Sequence, residues 1–244
     1  MAKLNIPILM YHHVVDKNKV PKDLLDDLYV DISDFEKQMK YISKVNFTSI
    51  NFDELSLILD KKKDLPKKPI ILIFDDGYED TLNNVLSVLN KYQIKAVVSL
   101  VTDFVGKTNI INKEQILNLI KDEISFESHT VTHPHFNNID VNKLKYELES
   151  SKAYLESLLK KQINTIVYPY GEYNEDVKKM AKLSGYKFGC AINSTKKYVL
   201  EDLHQIRRVY VKGSDSLFDF KRKISGWYLW FRGVKESKES KESK

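Results

Sequence analysis

Three short stretches carry residues able to do chemistry together: FDDG at Phe74–Gly77, SHTVTHPHF at Ser128–Phe136 and YPYG at Tyr168–Gly171. In the first, a greasy run from Ile70 to Phe74 ends in two adjacent carboxylates. Two buried Asp side chains repel each other and lose hydration, so the arrangement calls for a metal, a proton or a cation. The second stretch sets His129 and His133 four residues apart. A divalent metal takes two or three imidazoles or carboxylates and keeps a position open for water or substrate. His129, His133 and one of the two Asp residues make such a set from neighbouring strand ends. A metal there polarises an acyl oxygen and acidifies a bound water, while the Asp kept off the metal takes a proton. Each stretch alone is weak. Glu79 or Asp80 would serve as helix caps, a His pair is readily satisfied by backbone, and YPYG can be a plain turn. Their coincidence in one chain is the signal.

Residues of this kind need rigid elements behind them. Apolar runs at Ile6–Tyr11, Ile70–Phe74, Ala96–Val101, Ile124–Glu127, Thr165–Tyr168, Phe188–Ile192 and Ile206–Val211 read as buried strands. Helical patterns lie between most of them. Ser33 with Glu36 reads as a capping box ahead of Phe35, Met39 and Ile42, and Asn112 with Gln115 opens another helix that carries Ile116 and Leu119. Leu82, Val85, Leu86 and Leu89 follow the acidic stretch at helical spacing, and Leu144, Leu148, Leu155 and Leu158 mark a longer helix. Asn174 is expected to cap another, ending near Gly185. Near-continuous apolar strands alternating with helices imply a mostly parallel sheet covered by helices, as a β/α barrel or an open doubly wound sheet. In both, catalytic groups gather at the carboxyl ends of the strands, where Asp75 and Asp76 stand.

Composition bounds the partners. The chain has 244 residues, 42% hydrophobic and 30% charged, enough for one sizeable core. Residues 1–234 are expected to form one domain and the KES repeat at 235–244 a disordered tail. The net charge of +5 is spread along the sequence, so no basic stripe points to nucleic acid. No apolar run is long enough to span a bilayer, and a monomer is expected. MAKLNIPILMYHHV is too short in apolar residues for a secretory peptide. Lys61–Pro69 reads as a solvated connector, and GWYLWFRG as a segment packed on the domain. Cys190 is the only cysteine, which excludes a disulfide framework and suits a buried structural thiol. There is no glycine-rich phosphate loop or dinucleotide motif. The adjacent Asp pair also lacks the one-residue spacing of haloacid-dehalogenase phosphatases.

In order along the chain, YHHV, IFDDGYED, ESHTVTHPHF, VYPYGEYN, GYKFG and RRVYV resemble the polysaccharide deacetylase family, also called NodB-homology or carbohydrate esterase family four. The likeness covers Ile6 to Val211 and is greatest to the branch acting on poly-N-acetylglucosamine. It implies a distorted (β/α) barrel of about seven strands. It implies metal-dependent removal of acetyl groups from an acetylated glycan, with one divalent metal, zinc ahead of cobalt, nickel or manganese. By the same resemblance Asp75 is the catalytic base, Asp76, His129 and His133 are metal ligands, and the backbone N–H of Tyr170 helps hold the oxyanion. Family enzymes usually act outside the cell or at its surface, which sits uneasily beside the unread secretory peptide and leaves a cytoplasmic location open.

The chain departs from the family pattern in three places. Val167 stands where many members have an arginine, so Arg208 is the expected partner that orients Asp75, against the alternative of a surface pair with Glu201. No tryptophan motif is matched, since Trp227 and Trp230 come too late. The late histidine that usually protonates the leaving amine is missing, and ILMYH near the start resembles its strand in permuted position. His12 is then the expected acid, His13 the alternative beside it and His204 a weaker one, while His135 is expected to pack against the loop. These departures keep two other readings open: a carbohydrate-binding protein with impaired catalysis, and an O-acetyl esterase of the xylan type.

Overall fold

A computed structural model describes residues 6–20, 27–120, 124–192 and 202–225. The trailing GWYLWFRG and KES segments and Glu201 lie outside these residues. The backbone of the site is a parallel sheet of β1 (Ile8–Tyr11), β5 (Pro69–Asp76), β6 (Ala96–Leu100), β7 (Ile124–Ser128), β8 (Thr165–Val167), β9 (Phe188–Ala191), β10 (Ile206–Arg207) and β11 (Val209–Tyr210). Between β1 and β5 lie β2 (His13–Val15), β3 (Tyr29–Asp31) and β4 (Thr48–Ser49). The strand order is β10-β9-β8-β7-β6-β5-β1-β11, with β4 added beside β5, while β2 and β3 form a separate pair.

Closure depends on the last two strands. β10 pairs with β9 and β11 with β1, both in parallel, and only Arg208 separates them. Arg208 N–H donates to the Ala191 carbonyl on one side and Val211 N–H to the Met10 carbonyl on the other. One short segment therefore pairs with both edges of the sheet and nearly closes the barrel. The seven apolar runs correspond to these eight strands, the last run being split at Arg208, and the expected distorted (β/α) barrel is the architecture.

Alternation along the strands explains why they read as continuous apolar runs. Ile71 and Ile73 of β5, Val97, Val167, Cys190, Ile206 and Ile8 form one buried cluster, which fills the barrel. It includes Phe52, Leu55 and Ile58 of α2 (Phe52–Leu59), a helix that plugs the barrel after β4. Leu72, Phe74, Val98, Leu100, Phe126 and Ile166 point outward into a second cluster with the surrounding helices. These are α1 (Ile32–Lys44), α3 (Glu79–Tyr92), α4 (Lys113–Leu119), α5 (Val141–Leu159), α6 (Glu175–Leu183) and α7 (Leu217–Ile224). With both faces buried, a strand has no polar side.

Most helix starts follow their caps. Asn112 and Gln115 form a reciprocal capping box, and Asn174 accepts from Val177 N–H. The Ser33–Glu36 box is corrected: α1 is capped by Asp31, whose carboxylate accepts from Ser33 N–H. Aspartate two residues earlier already fills that role, so Ser33 lies inside the helix. Neither Glu79 nor Asp80 is the N-cap of α3, which is Tyr78 without a side-chain cap. Both acids sit in the first turn, where the helix dipole favours them.

Candidate active site

The carboxyl end of β5 is where the fold becomes strained. Asp76 adopts the left-handed region (φ 69°) and Gly77 follows at φ 81°. A Cβ on Gly77 would lie 2.5 Å from Leu100 Cδ2, so this turn requires glycine. His133 (φ 58°) and Tyr170 (φ 57°) share the left-handed conformation. Non-glycine residues held there cluster at functional sites, because only surrounding structure keeps them in place.

Asp75 and Asp76 are buried side by side and point to different partners. Arg208 Nη1 donates to Asp75 Oδ1 at 2.7 Å and Oδ2 at 2.6 Å, and Ser99 Oγ donates to Oδ1 at 2.6 Å. Arg208 and Asp75 are each 2% exposed. Burial alone would raise the Asp75 pKa, but the guanidinium, helped by His129 and His12, holds it well below the usual carboxylate range. For Asp76, burial and then the Asp75 charge push the pKa up to about 6. The question posed by two adjacent acids is thus half answered by Arg208, and Asp76 is left in need of a cation.

The two histidines supply its surroundings. Asp76 Oδ1 is 3.7 Å from His129 Nε2 and 3.9 Å from His133 Nε2, and the two imidazole nitrogens are 3.2 Å apart. These are not ion pairs. Burial lowers His129 to about 3 and also lowers His133, so both rings are neutral near pH 7. His129 Nδ1 lies 2.7 Å from the Val167 carbonyl, which can only accept, so this nitrogen carries the proton and Nε2 presents its lone pair to the cluster. Ligands held about 2.0–2.1 Å from a tetrahedral centre stand about 3.3 Å apart, close to the spacing of these three atoms. The donor set therefore fits a divalent cation, and Asp76, His129 and His133 form a divalent-metal-binding triad. Its three protein donors leave a coordination position for water or substrate.

His12 and His13 separate into different roles. His12 Nε2 is 3.8 Å from Asp75 Oδ2, reaching the site from the end of β1 beside the closing strand. Burial lowers its pKa, with Asp75 and Asp76 pulling the other way. His13 is instead packed between Tyr29 and Tyr78, with ring centroids 4.3 and 3.9 Å away, and faces Asp80 at 3.7 Å. His204 bonds the Tyr186 carbonyl through Nε2, and its place in the fold is structural.

Tyr170 lies in the one-turn 3-10 segment Pro169–Gly171 after β8. The local hydrogen bonds run from Gly171 to Tyr168 and from Glu172 to Pro169, and the Tyr170 N–H is outside them. Its half-exposed ring meets His133 edge-on at 4.7 Å and stacks on His135 at 3.8 Å. His135 Nδ1 and Phe136 N–H both contact the Glu172 carboxylate, so His135 packs against the loop, as expected. Ser99, the Val167 carbonyl and Glu172 were missed in the sequence. Ser99 could have been found by aligning strand ends, since it pairs with Asp75 in register.

Cys190 is a free thiol inside the barrel, where burial pushes its pKa up to about 12, and it has no part in the site. No described helix is long and apolar enough to cross a membrane.

Comparison with known proteins agrees with this geometry. The family profile described as Polysaccharide deacetylase matches residues 62–189. The chain is 32% identical over 186 residues to YxkH of Bacillus subtilis (strain 168), a match spanning 75% of this chain and 63% of that protein. It is 30% identical over 203 residues to the poly-beta-1,6-N-acetyl-D-glucosamine N-deacetylase of Staphylococcus aureus (strain MRSA252), covering 77% of this chain and 68% of that enzyme. Among solved structures, the Streptococcus pyogenes deacetylase PplD superposes with a TM-score of 0.83 at 24% identity, covering 91% of this chain and 99% of that one. That last likeness speaks for the fold.

Proposed function

Because this chain belongs to the polysaccharide deacetylase family, we propose that it is a metal-dependent hydrolase removing acetyl groups from an N-acetylglucosamine-containing polysaccharide or oligosaccharide. The carrying observation is the Asp76–His129–His133 triad with a second carboxylate, Asp75, held ionised beside it. The name of the staphylococcal relative supports N-acetylglucosamine as the sugar. Zinc is the proposed metal, on the strength of two neutral imidazoles and one carboxylate with tetrahedral spacing.

A divalent cation at the triad would polarise the acetyl carbonyl and acidify the attacking water. Asp75 is the proposed base. Arg208 and Ser99 fix its carboxylate, and its depressed pKa keeps it ionised throughout the neutral range. The Tyr170 N–H is proposed to stabilise the oxyanion that forms when the amide carbonyl is attacked. His12, neutral at rest, takes the proton from Asp75 across the 3.8 Å between them, by a small shift or through one water, and passes it to the departing amine. Acetate and a free amino sugar result. Arg208 touches only the base and acts as a positioning residue. The mixed charge along the chain favours a neutral glycan over nucleic acid as the partner.

The test is acetate release from a panel of N-acetyl and O-acetyl glycans, using metal-stripped protein with zinc, cobalt, nickel or manganese restored in turn. Metal-dependent release from N-acetylglucosamine oligomers that disappears in Asp75→Asn supports the reading. Release from O-acetyl xylan alone would replace it with an esterase. No release despite confirmed metal uptake would leave a carbohydrate-binding protein.

A further inference from the structure

The two histidines of the triad are held in unequal ways. His129 continues β7, its N–H donating to the Leu100 carbonyl and its ring bonded to the Val167 carbonyl, so the barrel itself sets its place. His133 stands at the end of a loop that leaves the barrel after Thr130. That loop begins and ends in left-handed residues, Thr130 (φ 73°) and His133 (φ 58°), conformations that side-chain-bearing residues avoid. Something outside the loop must keep them there.

Glu147, on α5, is fully buried and has no ion pair among the described residues. Its carboxylate is met by three donors from the loop. Val131 N–H and Thr132 N–H both reach Oε2 at 2.9 Å, and Thr132 Oγ1 reaches Oε1 at 2.6 Å. On the opposite side of the loop, Thr102 N–H and Asp103 N–H take the Thr130 and Val131 carbonyls. Thr130 Oγ1 accepts from His133 N–H, which ties the ligand to the clamped segment. One helical turn from Glu147, Ser151 receives the Ser128 hydroxyl at 2.8 Å, so the same face of α5 also braces the end of β7. A buried carboxylate is costly unless donors surround it, and these donors belong to the loop between the two imidazoles.

We propose that Glu147 is a positioning residue for the metal centre: its carboxylate grips residues 131 and 132 and so sets where the His133 ring stands relative to His129 and Asp76. The inference rests on the metal-centre reading of the triad. Both oxygens of Glu147 accept, Oε2 from the two N–H groups and Oε1 from the Thr132 hydroxyl. Glutamine keeps one oxygen for the two N–H donors and can offer its amide N–H to Thr132 Oγ1, whereas alanine leaves the buried Val131 N–H unmatched and releases both Thr132 donors.

The test is zinc affinity of the purified full chain after metal stripping, by competition with a chromophoric chelator, together with the visible absorption spectrum of the cobalt-loaded protein. Glu147→Ala is expected to bind zinc about 10–100-fold more weakly, the range seen when outer partners of metal ligands are removed, and to alter the cobalt spectrum. Glu147→Gln is expected to stay within a few-fold of the parent and to keep its spectrum, a rescue that general loss of stability does not predict. Should the alanine variant not fold, Glu147→Asp, which retracts the same charge by one methylene, is expected to weaken zinc by about tenfold. Parent-like affinity and spectrum in Glu147→Ala, or in Glu147→Asp where alanine does not fold, overturns the proposal while the metal site stands. If the parent takes up neither metal, or Asp76→Ala binds as the parent does, the metal-centre reading itself falls and the proposal with it.

Discussion

Arg208 Nη1 donates to both carboxylate oxygens of Asp75, at 2.7 and 2.6 Å, from the one residue that separates β10 and β11. Removing one member of a buried charge pair strands the other, at a typical loss of about 3–5 kcal/mol. Arg208→Met should therefore be markedly destabilised, and the Asp75 pKa should rise once burial is opposed only by its weaker neighbours His129, His12 and Ser99. In Arg208→Met, kcat/KM is expected to fall by about 100-fold or more, with the acid limb of the pH–rate profile moved to higher pH. The pair's contribution to stability is complete above the unfolded-state Asp pKa, about 4, and is lost as pH falls below it toward the depressed folded value. Full turnover with an unmoved acid limb would show that Asp75 does not depend on Arg208.

Metal uptake should be set by Asp76. Its carboxyl titrates at about 6 in the metal-free protein, while burial lowers His129 to about 3 and His133 below its ordinary value, so below pH 6 the carboxylate carries a proton that the metal must displace. Apparent zinc affinity is expected to fall about tenfold per pH unit below about pH 6 and to level off above it. Chelator competition between pH 5 and 7.5 measures this, and a flat response would remove Asp76 from the ligand set.

His12→Gln separates proton delivery from metal binding. His12 Nε2 faces Asp75 across 3.8 Å and is not one of the three donors of the triad, so zinc affinity should remain within a few-fold of the parent while kcat drops about 10²–10⁴-fold. An acetylated substrate with a good leaving group needs little help from an acid, and its hydrolysis should suffer much less. Equal losses on both substrates would assign His12 a different role.

Glu127 points into the barrel two residues before His129, accepts from Thr165 N–H, and is driven by burial to a pKa of about 8. In the unfolded chain it ionises near 4.3, so between these values the folded state holds one more proton, and this group lowers stability as pH rises. Relative to Glu127→Gln, the parent should lose about 1.4 kcal/mol per pH unit from about pH 5 to pH 8. Urea unfolding at pH 5 and pH 8 reads the difference directly, and a constant gap would contradict the raised value.

Much of this was legible in the sequence, because its signals are local. Strands buried on both faces give unbroken apolar runs, and Asn112 and Asn174 announce helices within three residues of themselves. Arg208 could be read as a strand-borne cation with no nearby partner, and it meets Asp75, 133 residues away. The remaining parts of the site lacked such signals. Glu147 looks like any glutamate on a charged helix, and only the packing of α5 against β7 turns it inward. Val167 departs from the family pattern by its side chain, yet it serves His129 through its carbonyl, an atom every residue has. The pair β2–β3 and helix α7 were missed for a related reason: three-residue strands and an eight-residue helix are too short to show a period.

The seam at Arg208 links the timing of folding to the readiness of the chemistry. Residues 206–210 are the last ring strands to leave the ribosome, and until they pair with β1 and β9 the sheet is open and Asp75 has no counter-ion. The growing chain thus acquires its oriented base only when the ring is complete. Local opening at that seam in the mature protein would disarm the same carboxylate, so protection of the Arg208 and Val211 amides from hydrogen exchange should report the fraction of molecules ready to react.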